Sequence, residues 1–274
     1  MIFGKKLKKI GIIGCGAIGT EIALAVDKGD INVILHGCND VDKNKYEILI
    51  KKLNKIKPKF LQKESLIKQV DLVIECAKKD AVKEIFELAI KHRKDVMFLS
   101  AGGVLENFNL VEEAKRKGIN VYVPSGAVVG IDGLDAAKYH GLSKVVLITR
   151  KPPNAFAGNE YLLKKNIDIS KITGETVIFE GSAREAIKEF PANINVAATL
   201  SMAGLGPDET KVKIIADPFV TANTHEIIVE GDFGRFRAIS ENLPSPTNPK
   251  TSYLTALSTI VMIKKIVDPI HIGT

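Results

Sequence analysis

The chain has 274 residues, 45% hydrophobic and 26% charged, enough apolar surface for one large core or two smaller ones, which excludes a disordered or fibrous polypeptide. Lys and Arg outnumber Asp and Glu by 39 to 32, a formal charge of +7, yet the basic residues are scattered and cluster only at 5–9 and 51–59. A nucleic-acid stripe is therefore not expected, whereas a modest positive field suits an anionic substrate or a dinucleotide.

The first element is an apolar strand, Lys9-Ile10-Gly11-Ile12-Ile13, that runs into Gly14-Cys15-Gly16-Ala17-Ile18-Gly19 and then a helix. In this G-x-G-x-x-G turn Gly14 makes the bend, Gly16 lets the backbone approach a pyrophosphate, and Gly19 lets the helix pack close to the strand. The phosphates are expected at the helix N-terminus, where free N–H groups and the helix dipole favour negative charge. Ile18, Ile22, Ala25 and Val26 give that helix a buried face, and Gly29 stops it. After a second strand at 31–35, Asp40 stands about twenty residues past the last glycine, placed to bond the adenosine ribose. An acid there favours NAD over NADP without excluding the latter. The same region has a rival reading, because Lys5, Lys6, Lys8 and Lys9 ahead of Cys15 resemble a lipoprotein leader. The apolar stretch 10–13, with Gly11 inside it, is shorter than the roughly seven to fifteen residues such a leader needs, and no other segment reads as a membrane span.

The Lys-rich segment after Asp40, up to Lys59, reads as a helix with Tyr46, Ile48, Leu49 and Leu53 inward, closed by Pro58. A strand at 70–77 follows, its end at Glu75-Cys76-Ala77 lying over the cofactor. Asp80 then caps an amphipathic helix through Val82, Ile85, Phe86, Ala89 and Ile90. A strand at 96–99 leads to Ser100-Ala101-Gly102-Gly103, a loop of bare backbone; a helix at 109–117 and a strand at 119–123 complete the rhythm. Strand, helix, strand, helix without a break implies a parallel sheet with right-handed crossovers, so residues 1–124 are expected to form a Rossmann-type dinucleotide-binding domain.

The pattern changes at Pro124-Ser125-Gly126-Ala127-Val128-Val129-Gly130, a glycine-rich hinge. Residues 125–247 are expected to form a second, α+β domain with a mostly antiparallel sheet, for catalysis and oligomerisation. Strands are predicted at 144–149, 176–180, 211–216, 225–230 and 235–240, the last two joined as a hairpin through Gly231-Asp232-Phe233-Gly234. Ser182-Ala183-Arg184-Glu185 is a capping-box helix start. A second helix of small residues, at 196–202, follows Asn193 and Asn195, which either cap it or bond a nicotinamide amide. Asn248-Pro249 reads as a cap and first-turn proline for a final helix at 250–267 within a segment, 248–274, expected to return to the first domain.

No metal-ligand spacing, Ser/His/Asp order or Walker-type phosphate loop is present, which leaves hydrolase and kinase readings without support. The three cysteines, Cys15, Cys38 and Cys76, all at predicted strand ends, give neither a disulfide framework nor a zinc motif and fit a reducing cytoplasm. A nicotinamide enzyme needs a group to manage protons at the reacting carbon, and histidine suits this. His36, His92, His140 and His271 are more easily structural or solvated. His225 differs because it opens a strand after the polar loop Thr221-Ala222-Asn223-Thr224.

Taken together, Gly14-Cys15-Gly16-Ala17-Ile18-Gly19, Pro124-Ser125-Gly126-Ala127, Asn193-Ile194-Asn195-Val196-Ala197-Ala198-Thr199-Leu200, Asn223-Thr224-His225-Glu226 and 244–252 (Pro-Ser-Pro-Thr-Asn-Pro-Lys-Thr-Ser) resemble the L-aspartate dehydrogenases of bacteria and archaea over nearly the whole chain. The departures are the basic extension to Lys6 and the pair Val128-Val129. The resemblance implies a homodimer or larger homo-oligomer, contacts from Ala127 and Asn195 to NAD or NADP, and His225 as the catalytic residue. It also implies oxidation of L-aspartate to iminosuccinate, which water converts to oxaloacetate and ammonia, or which feeds NAD biosynthesis through quinolinate. For the two substrate carboxylates Asn223, Thr224, Lys250, Thr251 and Ser252 are candidates. Two other classes share the first domain: a dehydrogenase or reductase of another amino acid or imine, of homoserine or dipicolinate type, and a non-catalytic NADH-binding sensor, which the lack of a helix-turn-helix disfavours.

Overall fold

A computed structural model describes residues 7–190, 194–245 and 248–273, with only the backbone described at 194 and 248–251. The chain divides into two compact units, Met1–Pro124 with Ala256–His271, and Ser125–Thr255 with Ile272–Thr274.

The first unit contains β1 (Lys9–Ile13), α1 (Ala17–Lys28), β2 (Ile34–Asn39), α2 (Lys43–Ile50), β3 (Lys59–Phe60), α3 (Lys63–Gln69), β4 (Leu72–Glu75), α4 (Val82–His92), β5 (Asp95–Phe98), α5 (Ala101–Glu106), α6 (Phe108–Arg116) and β6 (Val121–Tyr122). Its six strands lie in the order β3-β2-β1-β4-β5-β6, every pairing parallel. That is the doubly wound order, whose reversal between β1 and β4 opens a ligand crevice at the carboxyl ends of the strands. β1 and β4 are nearly continuous apolar runs because both faces of a parallel sheet are covered; Ile10, Ile12, Leu72 and Ile74 are fully buried, and Ile263 packs into the same core.

Three expectations in this unit are corrected. The helix after Asp40 ends at Ile50, and Ile48 is 56% exposed rather than inward. The chain instead turns over Asp27, whose carboxylate accepts the N–H groups of Asn54, Lys55 and Ile56. Asp80 lies in a single 3₁₀ turn, and α4 starts at Val82 without a side-chain cap. The bare segment after Ser100 is not a loop but the start of α5. A Cβ on Gly103 would stand 2.6 Å from Val82 Cγ2, so glycine there serves close packing against α4.

The second unit contains α7 (Ile131–Ala137), β7 (Leu142–Lys151), α8 (Glu160–Lys164), β8 (Thr176–Ser182), α9 (Ala183–Glu189), α10 (Ile194–Ala203), β9 (Lys211–Ala216), β10 (Asn223–Gly231), β11 (Gly234–Asn242), and the short ladder of β12 (Pro244–Ser245) with β13 (Asn248–Ser252). Its main sheet runs β11-β10-β7-β9-β8 and is mixed: β7 and β9 are parallel, the other neighbours antiparallel. Strand alternation fixes its buried face, with Val145 and Leu147 of β7, Ile227 and Val229 of β10, and Val212 and Ile214 of β9 in one core with Ala183, Ala197 and Leu200 of the helices. The capping box forms, Ser182 Oγ accepting from Glu185 N–H while the Glu185 carboxylate accepts from Ser182 N–H.

The final helix, α11, spans Tyr253–Val267 and not 250–267. Residues 248–252 pair back on Pro244 and Ser245 as strand, and Tyr253 N–H closes on Leu243 O, so Asn248 and Pro249 do not begin the helix. Among the described residues no helix is long and apolar enough to cross a membrane.

Candidate active site

In the first unit the glycine turn sits between the ends of β1 and β4. Gly14 has φ +106°, and a Cβ there would collide with the Cys76 carbonyl; one on Gly19 would collide with the carbonyl of Gly14. A Cβ on Gly16 meets nothing within 4 Å. Gly16 is also the N-cap of α1, with no side-chain cap and no acid in the first turn. An uncapped helix start facing open space at a glycine fits a dinucleotide pyrophosphate. Ala17 and Ile18 are half-buried at this end, and Cys15 is buried, its N–H donated to Asp40 Oδ2 at 2.7 Å. Asp40 Oδ1 accepts from Asp42 N–H, so this carboxylate fixes the turn as well as standing at the end of β2. Glu75, fully buried at the end of β4, accepts from Ala77 N–H, Ser100 N–H and Ser100 Oγ, tying the ends of β4 and β5 together. Burial raises its pKa against the opposing pull of those hydrogen bonds. The cysteines are packing groups. A hydrogen bond from Cys15 and burial together push the Cys38 thiol far above the ordinary range, away from thiolate reactivity.

In the second unit His225 lies in β10 directly opposite Thr149 of β7, and its Nδ1 is 3.1 Å from Thr149 Oγ1. The histidine is 4% exposed and Thr149 is 1% exposed, so the apolar face of the sheet ends in a polar pair. Burial first, and then the nearby charge of Lys151, depress the His225 pKa to about 3, leaving the imidazole neutral at ordinary pH. In the tautomer whose ring proton sits on Nδ1 and is donated to Thr149 Oγ1, Nε2 carries the lone pair that can accept a proton.

Ala127 joins this arrangement from the start of the unit. Its carbonyl accepts from Ser240 Oγ at 2.8 Å and Asn242 Nδ2 at 3.1 Å, and Ser240 is the β11 partner of His225. Ser252 Oγ donates to Asn242 Oδ1, which brings one of the substrate candidates into the same network. Asn223 shares the His225 face by alternation, whereas Thr224 points to the other face, where Arg150 and Arg237 hold the buried Glu226 at 3.3 and 2.7 Å. Asn195 is exposed in the first turn of α10. Asn193 and the side chains of Lys250 and Thr251 lie outside the described residues. Of the other histidines, His36 pairs with Gln69 and His92 with Glu64. Among the described residues no cluster of His, Cys, Asp and Glu is placed to share a metal ion.

One residue escaped sequence reasoning. Lys151 ends β7, half-buried, and burial lowers its pKa to about 8. The signal was a lysine in phase with Val145, Leu147 and Thr149, immediately before Pro152.

The neutral state of His225 has a consequence for stability. The unfolded histidine titrates near 6.5 and the folded one near 3, so between those values the unfolded chain binds a proton the native chain does not. This contribution is complete above pH ~6.5 and is lost as pH falls toward ~3. In urea titrations the wild type should therefore lose stability more steeply than His225→Gln as pH falls below ~6.5; parallel slopes would show that the imidazole is solvated.

Residues 132–266 match the family model described as the C-terminal domain of aspartate dehydrogenase, and residues 14–124 match the NAD-binding domain of homoserine dehydrogenase. The chain is 49% identical to the L-aspartate dehydrogenase of Methanosarcina mazei and 48% identical to that of Methanococcoides burtonii, in each case across 97% of this chain and 99% of the relative. The crystal structure of aspartate dehydrogenase from Thermotoga maritima superposes with a TM-score of 0.75 at 27% identity, covering 97% of this chain and 99% of that one. With a glycine turn shaped for a dinucleotide in one unit, a buried neutral histidine in the other, and near-complete coverage by these relatives, the chain belongs to the L-aspartate dehydrogenase family.

Proposed function

We propose that this protein is an NAD(P)-dependent L-aspartate dehydrogenase that oxidises the α-carbon of L-aspartate to iminosuccinate, from which water releases oxaloacetate and ammonia. The observation that carries the reading is His225, neutral and buried near the start of β10, in a chain that matches L-aspartate dehydrogenases over 97% of its length. Gly14, Cys15, Gly16, Ala17, Ile18 and Gly19 hold the pyrophosphate, Asp40 the adenosine ribose, and Ala127 and Asn195 contact the rest of the cofactor. When bound, the nicotinamide supplies the hydride acceptor.

The chain's own residues manage the protons. His225 Nε2 takes the proton of the substrate ammonium, giving the free amine whose lone pair expels hydride from the α-carbon. Thr149 holds the ring through Nδ1, which fixes the direction of Nε2. After the proton is released to solvent, the same nitrogen accepts one from the water that adds to the imine. Asn223 and Ser252 support the substrate. Cytoplasmic location, assembly as a homodimer or larger homo-oligomer, and delivery of iminosuccinate to quinolinate formation for NAD biosynthesis complete the proposal.

Two assays bear on it. Initial rates of nicotinamide reduction with L-aspartate, L-alanine and homoserine should rank aspartate first in kcat/KM; a higher value for homoserine would move the assignment to the enzymes whose nucleotide-binding model this chain matches. Asp40→Ala should weaken NAD more than NADP, because the lost carboxylate serves a free ribose hydroxyl and opposes a 2′-phosphate. Equal weakening would confine Asp40 to its bond with Cys15 N–H.

A further inference from the structure

We infer that Lys151 Nζ is the counter-ion for one of the two carboxylates of the substrate, held beside His225 on the buried face of the second sheet. The inference rests on the dicarboxylate reading above and names a residue for it.

Strand register places the lysine. Thr149 and His225 are direct partners across β7 and β10 and so share a face, and Lys151, two residues further along β7, returns to that face. Upstream, the same face is core: Val145 and Leu147 on β7, Ile227 and Val229 on β10, Ile214 and Ala216 on β9, with Ala216 paired to Lys151 itself. The apolar layer thus terminates in Thr149, His225 and Lys151. Pro152 ends the ladder there, and its fixed φ holds the strand end that carries the ammonium.

Charge balance supplies the second observation. Arg150, on the opposite face, is answered by Glu226 at 3.3 Å and Glu175 at 3.7 Å. Lys151 has no carboxylate within 4.0 Å among the described residues. Asp217, which follows β9, donates its backbone N–H to Lys151 O but turns its carboxylate to Phe219 N–H. The titratable group that feels Lys151 is His225, a neutral imidazole whose protonation the lysine opposes. A half-buried cation beside a histidine, with no anion of its own, is a site awaiting one. A carboxylate bound there would satisfy the ammonium and, by offsetting its charge, ease proton uptake by His225 during turnover.

The test compares wild type, Lys151→Met, Lys151→Gln and Lys151→Arg, using succinate as a competitive dicarboxylate with no amine. In Lys151→Met the aspartate KM and the succinate Ki should rise roughly 30-fold or more, as for loss of one partner of a buried charge pair. NAD(P) affinity should stay unchanged, and Lys151→Arg should recover part of the loss. In the wild type the succinate Ki should weaken as pH rises through ~8, where the lysine loses its proton, and Lys151→Gln should remove that dependence. Succinate itself does not titrate there; the groups around Lys151 are Thr149 and His225 on its own face, Asp217 beyond β9, and Arg150, Glu175 and Glu226 behind the sheet. An active Lys151→Met enzyme with unmoved KM and Ki, or a wild-type Ki flat across this range, overturns the assignment alone. A wild type that ignores aspartate overturns the dicarboxylate reading, and this inference with it.

Discussion

His225→Ala should lower kcat for aspartate oxidation by about 10²–10⁴-fold, the usual contribution of a positioned general acid–base group, and leave NAD(P) affinity unchanged. The expectation follows from where the ring sits. It is sealed on the core side, fixed through Nδ1 by a threonine that is itself buried, and held neutral by burial and by Lys151. Since the variant also leaves Thr149 Oγ1 without its buried partner, some stability is lost, of the order of 1–3 kcal/mol. His225→Gln, which keeps a polar atom near Thr149, separates the two effects: it should recover stability without recovering kcat. Wild-type kcat in a folded His225→Ala enzyme would remove the residue from the mechanism.

The second large effect is expected at the glycine turn, where the three glycines differ in kind. Gly14→Ala combines a left-handed backbone with a collision against the Cys76 carbonyl, so both β1 and β4 must shift. A loss of about 3 kcal/mol or more of folding stability is expected, together with loss of nucleotide binding. Gly16→Ala is the informative contrast. Its φ of −73° is open to any residue and its Cβ meets nothing, so the protein should fold with wild-type stability yet bind NAD(P) at least about tenfold more weakly, because the methyl occupies the space intended for the pyrophosphate. Thermal melts with and without NAD read both quantities. Unchanged affinity in Gly16→Ala would place the pyrophosphate elsewhere.

Much of this was legible because it is local. The turn after β1 declares itself through glycines whose reasons are backbone contacts a few residues away, and the hairpin through Asp232 and Phe233 through its flanking glycines. The failures have a common cause, which is tertiary context overriding a local signal. Asn248-Pro249 has the chemistry of a helix start, but residues 248–252 find backbone partners at Pro244 and Ser245 first. The glycines after Ser100 resemble a loop until Val82 is placed against Gly103. The apolar pattern through Ile48 runs past the end of its helix at Ile50, and within that helix it is Leu49 that is buried while Ile48 faces outward. The phase of Lys151 with Val145, Leu147 and Thr149 along β7 was a weak signal, because a lysine at a strand end is ordinarily solvated. Only the pairing of Thr149 with His225 shows which face it shares.

The most direct test of the central claim is transfer of the α-hydrogen. Purified protein would be incubated with NAD or NADP and L-aspartate deuterated at the α-carbon, and the reduced nucleotide analysed for deuterium by mass spectrometry. The account predicts stoichiometric deuterium in the nucleotide, formation of oxaloacetate and ammonia, and loss of the signal in His225→Ala. No reduced nucleotide from aspartate, in a protein that still binds the cofactor, would contradict it.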